Sequence, residues 1–246
     1  MIRVSSLLAL AAAAVLAATS ASAAPARNVV LVHGAFADGS GWKAVSDILQ
    51  KHGFKVTIAQ PPETSLEDDI AATNRVLDLQ DGPTVLVGHS YGGAIITGAG
   101  LNAHVKSLVY VAAFQPDAGE SLGSLAGGTP PASKAVKPTA DGFLYIDPAQ
   151  YHADFCADLP AAQADLMARS QVFLSVKSAG GAATDPAWKH KPAFAVVATQ
   201  DRSINPELER SMYKRSNSQT IELAASHAVY MSKPAEVAAL IEKAAQ

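Results

Sequence analysis

Ser90 sits in Gly88-His89-Ser90-Tyr91-Gly92-Gly93, a stretch that fits G-x-S-x-G. The apolar run Thr84-Val85-Leu86-Val87 precedes it and Ala94-Ile95-Ile96 follows, so the serine falls at a strand-to-helix turn. A turn that sharp strains the serine backbone and leaves its hydroxyl exposed. Glycines at 88 and 92 let strand and helix close around it. Without that context the pattern carries little information; within it, Ser90 reads as a nucleophile. A serine alcohol is a poor nucleophile, however. It needs a base, and the base needs an orienting acid.

Seven histidines compete for the base. His227, in Ala224-Ala225-Ser226-His227-Ala228, follows a weak strand ending near Leu223 and precedes the last helix, so it belongs to a loop at the carboxyl end of the sheet. His33 and His89 flank glycines at turns and read as structural. His52, His104 and His190 read as surface residues, and His152 falls in a segment that could touch substrate. The acid has two candidate positions at strand ends. Asp201 follows Phe194 to Thr199 and gives the chain order Ser90, Asp201, His227; Asp117 follows a strand ending near Phe114. The oxyanion hole needs two backbone N–H donors, expected from Tyr91, directly after the nucleophile, and from Ala35 in His33-Gly34-Ala35-Phe36. Phe36, Tyr145, Tyr151, Phe155, Phe173 and Trp188 are candidate walls of an apolar substrate pocket. No His/Asp/Glu set has metal-ligand spacing, and there is no phosphate loop or G-x-G-x-x-G, so neither a metal nor a nucleotide cofactor is expected.

The elements that must position these groups alternate. Asn28 to His33, Lys55 to Ala59, Thr84 to Val87, Val105 to Val111 and Phe194 to Ala198 are continuous apolar runs, with a weaker one at Thr220 to Leu223. Runs without polar alternation suit strands buried on both faces of a parallel sheet. Between them, helices are expected over Trp42 to Lys51, Leu66 to Leu79 (capped by Ser65), Pro206 to Arg215 (capped by Asn205) and Pro234 to Ala244. This is an α/β pattern: a doubly wound, mostly parallel sheet. From about Gln115 to Pro186 no buried-strand pattern appears, only a Gly/Pro/Ser/Thr-rich part and a helix capped by Asp158, which precedes Leu159-Pro160, running to about Ser170. An insertion that long between core strands is expected to be a lid over the site.

Residues 1–23 read as a cleaved signal peptide: Arg3, an apolar run from Leu7 to Ala18, and Ala21-Ser22-Ala23 as the cleavage pattern. The run is too short to span a membrane, so export to a periplasm or the medium is expected, with no stable membrane insertion after cleavage. Residues 24–246 suit one domain, and a chain with 49% apolar residues overall can build a sizeable core. The net charge of −3 and the absence of any Lys/Arg run exclude nucleic acid as an expected partner. Cys156 is the only cysteine, so no disulfide within the chain is possible.

Taken together these residues resemble the α/β-hydrolase superfamily, in particular the group of small methylesterases, hydroxynitrile lyases and related bacterial serine esterases. The resemblance rests on Val32-His33-Gly34-Ala35 with Gly41-Trp42, on the Ser90 turn, on Asp201 with Ile204-Asn205-Pro206-Glu207, and on His227 with Lys233-Pro234-Ala235-Glu236-Val237. It implies a Ser90–His227–Asp201 triad, Ala35 and Tyr91 amides as oxyanion donors, and a lid between the sixth and seventh strands. Two departures stand out. The lyases carry lysine after the catalytic histidine and threonine beside the first loop histidine, where this chain has Ala228 and Gly34. The methylesterases usually carry aspartate before the histidine, where this chain has Ser226. The expected activity is cofactor-independent hydrolysis of small-molecule esters through an acyl-enzyme. The rivals are a lyase or other non-hydrolytic enzyme on the same triad, or a binding protein with little turnover.

Overall fold

Each apolar run becomes a strand. The computed structural model describes residues 25–246, so the expected signal peptide lies outside the described residues. In chain order, β1 (Asn28–Val32), α1 (Lys43–Lys51), β2 (Lys55–Ala59), α2 (Leu66–Leu77), β3 (Thr84–Ser90), α3 (Gly92–Ala99) and β4 (Val105–Ala113) form the first half. An insertion follows, with α4 (Leu122–Gly128), β5 (Val136–Pro138), β6 (Phe143–Ile146), α5 (Pro148–Phe155), α6 (Ala161–Ser170), β7 (Leu174–Ser175) and α7 (Val176–Gly180). The core then resumes with β8 (Ala193–Ala198), α8 (Pro206–Arg215), β9 (Gln219–Leu223), α9 (Val229–Ser232) and α10 (Pro234–Ala244).

Six strands form one parallel sheet in the order β2-β1-β3-β4-β8-β9. Its inner strands are covered on both faces, which is why their sequences show no polar alternation. The period of two survives inside the apolar runs. Val29, Leu31, Val85, Val87, Val109 and Val111 pack toward α1, α9 and α10. Val30, Val32, Leu86, Leu108 and Tyr110 pack toward α2, α3 and α8. The chain leaves β1 toward β2 on one side and returns to β3 on the other. That reversal opens a crevice at the carboxyl ends of β1 and β3, where ligands of open α/β sheets bind.

The helix caps follow the sequence with a few corrections. Ser65 accepts from the Asp68 amide and Asn205 from the Glu207 amide. Helix α2 stops at Leu77, short of its expected end, leaving Leu79 84% exposed. Pro234 opens α10, but Lys233 before it supplies no side-chain cap. Asp158 does not cap α6, whose first turn follows Pro160; its carboxylate turns away to Ser226.

The insertion falls between the fourth and fifth strands of the large sheet in chain order, not the sixth and seventh, because that sheet has six strands among the described residues. It also contains strands where none was expected. β5, β6 and β7 form a small antiparallel sheet, paired Val136↔Ile146 and Leu144↔Leu174. The insertion is fastened to the loops after β1, β8 and β9 at the carboxyl end of the core. The Phe36 amide donates to the Val172 carbonyl at 2.9 Å, and the Ser133 amide to the Arg202 carbonyl at 2.8 Å. The Ala228 amide donates to the Phe155 carbonyl at 3.1 Å.

Candidate active site

Ser90 ends β3 with φ +54°, the left-handed strain expected of a side chain held out at a sharp turn. The turn is possible only because backbone crowds it where side chains would sit. A Cβ on Gly88 would lie 2.4 Å from the Gly92 carbonyl oxygen, and one on Gly34 would lie 2.6 Å from the Ser90 Cβ and 3.0 Å from the Tyr91 nitrogen. Gly34 therefore brings the loop after β1 into direct contact with the turn after β3. Neither the Ala35 amide nor the Tyr91 amide has an acceptor among the described residues, and both residues border the same cavity as Ser90.

The Ser90 hydroxyl donates to His227 Nε2 at 2.8 Å, and His227 Nδ1 donates to Asp201 Oδ2 at 2.5 Å. All three are buried. Asp201 Oδ1 accepts from the Ser203 and Ile204 amides at 2.7 and 2.9 Å, which turns Oδ2 toward the imidazole. With a carboxylate accepting at Nδ1, Nε2 is left bare to take a proton from Ser90. Asp117, the other candidate acid, is a partly exposed ion-pair partner of Lys189 that also accepts from the Ala118 amide.

The His227 loop is gripped from three sides. His89 Nε2 donates to the His227 carbonyl at 3.0 Å, and burial holds the His89 imidazole well below its usual range, so it stays neutral. Phe155 sets a ring edge against the His227 ring, centroids 4.9 Å apart. Ser226, the departure from the methylesterase pattern, donates from both its amide and its hydroxyl to Asp158. Ser226 is thereby tied to the insertion, in which Asp158 lies between α5 and α6.

One acidic neighbour was missed by sequence reasoning. Glu209 in α8 is fully buried, and its Oε2 accepts from the Ala198 amide at 3.1 Å while Oε1 has no partner. Burial, reinforced by the Asp201 charge, pushes its carboxyl well above the usual range, so it is held protonated. The signal was present: Leu208, Glu209, Met212 and Tyr213 form the buried stripe of α8, and a glutamate in such a stripe needs a reason.

The cavity at Ser90 measures about 270 Å³. Phe36 and Phe155 line it, with Phe114 and Ile204 from the core and Leu122, Ala126, Leu144, Ile146 and Leu174 from the insertion. Ser133 and Ser203 add side-chain hydroxyls beyond Ser90 and His227, and no carboxylate, lysine or arginine among the described residues borders it. Four expected wall residues lie elsewhere. In β6, Leu144 and Ile146 face the cavity, so the alternation of the strand sends Tyr145 to the other side, where it stacks on Phe173 at 5.4 Å. Tyr151 stands one layer behind Phe155 and donates to the Phe36 carbonyl at 2.6 Å. Trp188 donates to the Pro116 carbonyl at 2.9 Å, away from the cavity. His152 donates to the Leu159 carbonyl at 2.9 Å and also lies outside it.

Residues 29–240 match the model of the alpha/beta hydrolase family, and the chain belongs to that family. Among characterised relatives, it is 35% identical to a carbendazim hydrolyzing esterase of Nocardioides sp., over 40% of this chain and 46% of that protein. The match thus spans about half the length of that relative. It is 26% identical to a pyrethroid hydrolase of Sphingobium wenxiniae, over 87% of this chain and 86% of that one. Among solved structures, a pyrethroid hydrolase from Sphingobium faniae superposes with a TM-score of 0.76 at 23% identity, covering 89% of this chain and 96% of that chain.

Proposed function

We propose that this protein is a carboxylesterase-type serine hydrolase that cleaves small, neutral carboxylic esters through an acyl-enzyme. One observation carries the reading: the hydrogen-bonded line Asp201–His227–Ser90 ends at an uncharged, mostly apolar cavity. In the proposed cycle Ser90 Oγ attacks the ester carbonyl while His227 Nε2 takes its proton. The Ala35 and Tyr91 amides receive the oxyanion, and His227 then protonates the leaving alcohol. Water repeats the sequence on the acyl-enzyme. The cycle uses no cofactor. The relatives named as an esterase and a pyrethroid hydrolase fit this chemistry, and the leader-like residues 1–23 extend the proposal to an exported enzyme.

An uncharged wall favours substrates that bring no charge of their own, and a cavity of about 270 Å³ suits a short acyl or aryl group. The test is a panel of p-nitrophenyl acetate, butyrate and palmitate, with and without chelator. Faster turnover of the short esters, indifferent to chelator, is the expected result. A preference for palmitate would require a long acyl channel and overturn the substrate class.

A further inference from the structure

The carboxylate of Asp69, in α2, lies one layer behind the nucleophile turn and is fully buried. It gathers donors from three separate pieces of chain. The Glu63 amide donates to Oδ1 at 2.6 Å and the Tyr91 hydroxyl to Oδ2 at 2.5 Å. The Ser178 hydroxyl, from α7 of the insertion, reaches Oδ2 at 3.4 Å. The same seam is fastened again nearby, where the Ser175 amide donates to the Glu63 carbonyl at 3.0 Å and its hydroxyl to the Thr64 carbonyl at 2.8 Å.

An oxyanion donor lowers a barrier only if it is already aimed where charge develops. The Tyr91 amide is followed by Gly92 and Gly93, which offer no side chain to anchor that stretch of backbone. The Tyr91 carbonyl is held by the Ala94 and Ile95 amides of α3, at 2.9 and 3.3 Å, and the buried Tyr91 side chain adds an anchor on the other side, since a phenol donating to a carboxylate makes a strong, charge-assisted bond. Burial, with the Asp68 charge behind it, raises the Asp69 carboxyl above its usual range, and its three donors reduce that shift without reversing it.

We propose that Asp69 is a positioning residue for the oxyanion hole. By holding the Tyr91 hydroxyl it fixes the Tyr91 amide beside Ser90, and by accepting from Ser178 it ties that amide to the insertion. The proposal rests on the serine-hydrolase reading above.

The test compares Tyr91→Phe, Asp69→Asn and the double variant with the wild type. Competent sites are first counted by endpoint labelling with a fluorophosphonate, so that kcat refers to folded enzyme alone. Each single variant should lower kcat about tenfold, with KM within about twofold, and weaken phenylboronic acid, a tetrahedral-adduct inhibitor, by the same factor as kcat. The double variant should cost no more than the worse single one, because both cut the same bond. Unchanged kcat per labelled site, a change confined to KM, or additive losses would overturn the proposal. If Asp69→Asn does not fold, Tyr91→Phe decides by its kcat, KM and boronate affinity. A wild type that is neither labelled nor active on esters would instead overturn the parent reading.

Discussion

The parallel core and the insertion solve different problems around one cavity. In the proposed cycle the core supplies the reacting groups from strand ends and holds them by backbone: glycine contacts at 34 and 88, and two amides turning Asp201 toward His227. The insertion supplies apolar side chains such as Leu144 and Leu174, together with fastenings to the core loops at Phe36, Glu63, Arg202 and Ala228. On that proposal, chemistry and selectivity are carried by different parts of the chain. Substitutions in the core should stop the reaction, whereas substitutions in the insertion wall should redirect it.

The largest effect expected of a single substitution is Ser90→Ala, which should lower turnover on the order of a million-fold without changing the melting temperature appreciably, as checked by ester kinetics and calorimetry. Residual activity within tenfold of wild type would mean the core does not hold the nucleophile. Asp201→Asn should cost on the order of ten-thousandfold, because the imidazole loses the partner that sets its tautomer. Asp117→Asn, which breaks a partly exposed ion pair with Lys189, should leave kcat nearly unchanged. A reversed ranking of those two would move the acid into the insertion and erase the division of labour.

Leu144→Ala sharpens the comparison from the other side. It enlarges the cavity wall, and apolar contacts discriminate by about 1–3 kcal/mol per methylene, so kcat/KM should shift roughly tenfold toward bulkier acyl esters. Turnover of p-nitrophenyl acetate should stay close to that of wild type; loss on every ester alike would mean the insertion shapes the reaction itself.

The smallest effect concerns Glu209. Because the folded state keeps this acid protonated, Glu209→Gln should retain most of the activity. The stability sign follows from the raised folded value. Below the ordinary glutamate value of 4.5 both states hold the proton. As pH rises above it, only the unfolded chain releases the proton, so wild-type stability falls while the glutamine variant escapes that loss. The melting temperature of the variant relative to wild type should therefore climb as the pH rises above 4.5. A gap that narrows would mean that Glu209 is ionised in the folded protein.

The same two regions differ in how far they could be read from sequence. Strands such as Val29 to Val32 and Val85 to Val87 were legible because burial on both faces leaves an unbroken apolar run. Ser90, with its flanking glycines, was legible because so few residues tolerate that turn. In the insertion, β5 has three residues and β7 two, too short for any periodicity to register. Without β6 as a strand, its alternation was invisible, and Tyr145 was read as a pocket wall where Leu144 and Ile146 stand. Asp158 was read as a helix cap because that is the commonest use of an aspartate before a helix. Its true partner, Ser226, lies 68 residues away in sequence.

Cys156 caps the end of α5 with its thiol buried. Burial, and behind it the Asp158 charge, pushes that thiol up to about 12, so at neutral pH almost none of it is the reactive thiolate. The chain thus carries its own clock for local opening. A small alkylating reagent such as iodoacetamide can reach this sulfur only when α5 lifts, and because there is a single cysteine every alkylated molecule reports that one event. In an oxidising compartment the same burial confines thiol cross-linking between copies to molecules that have opened.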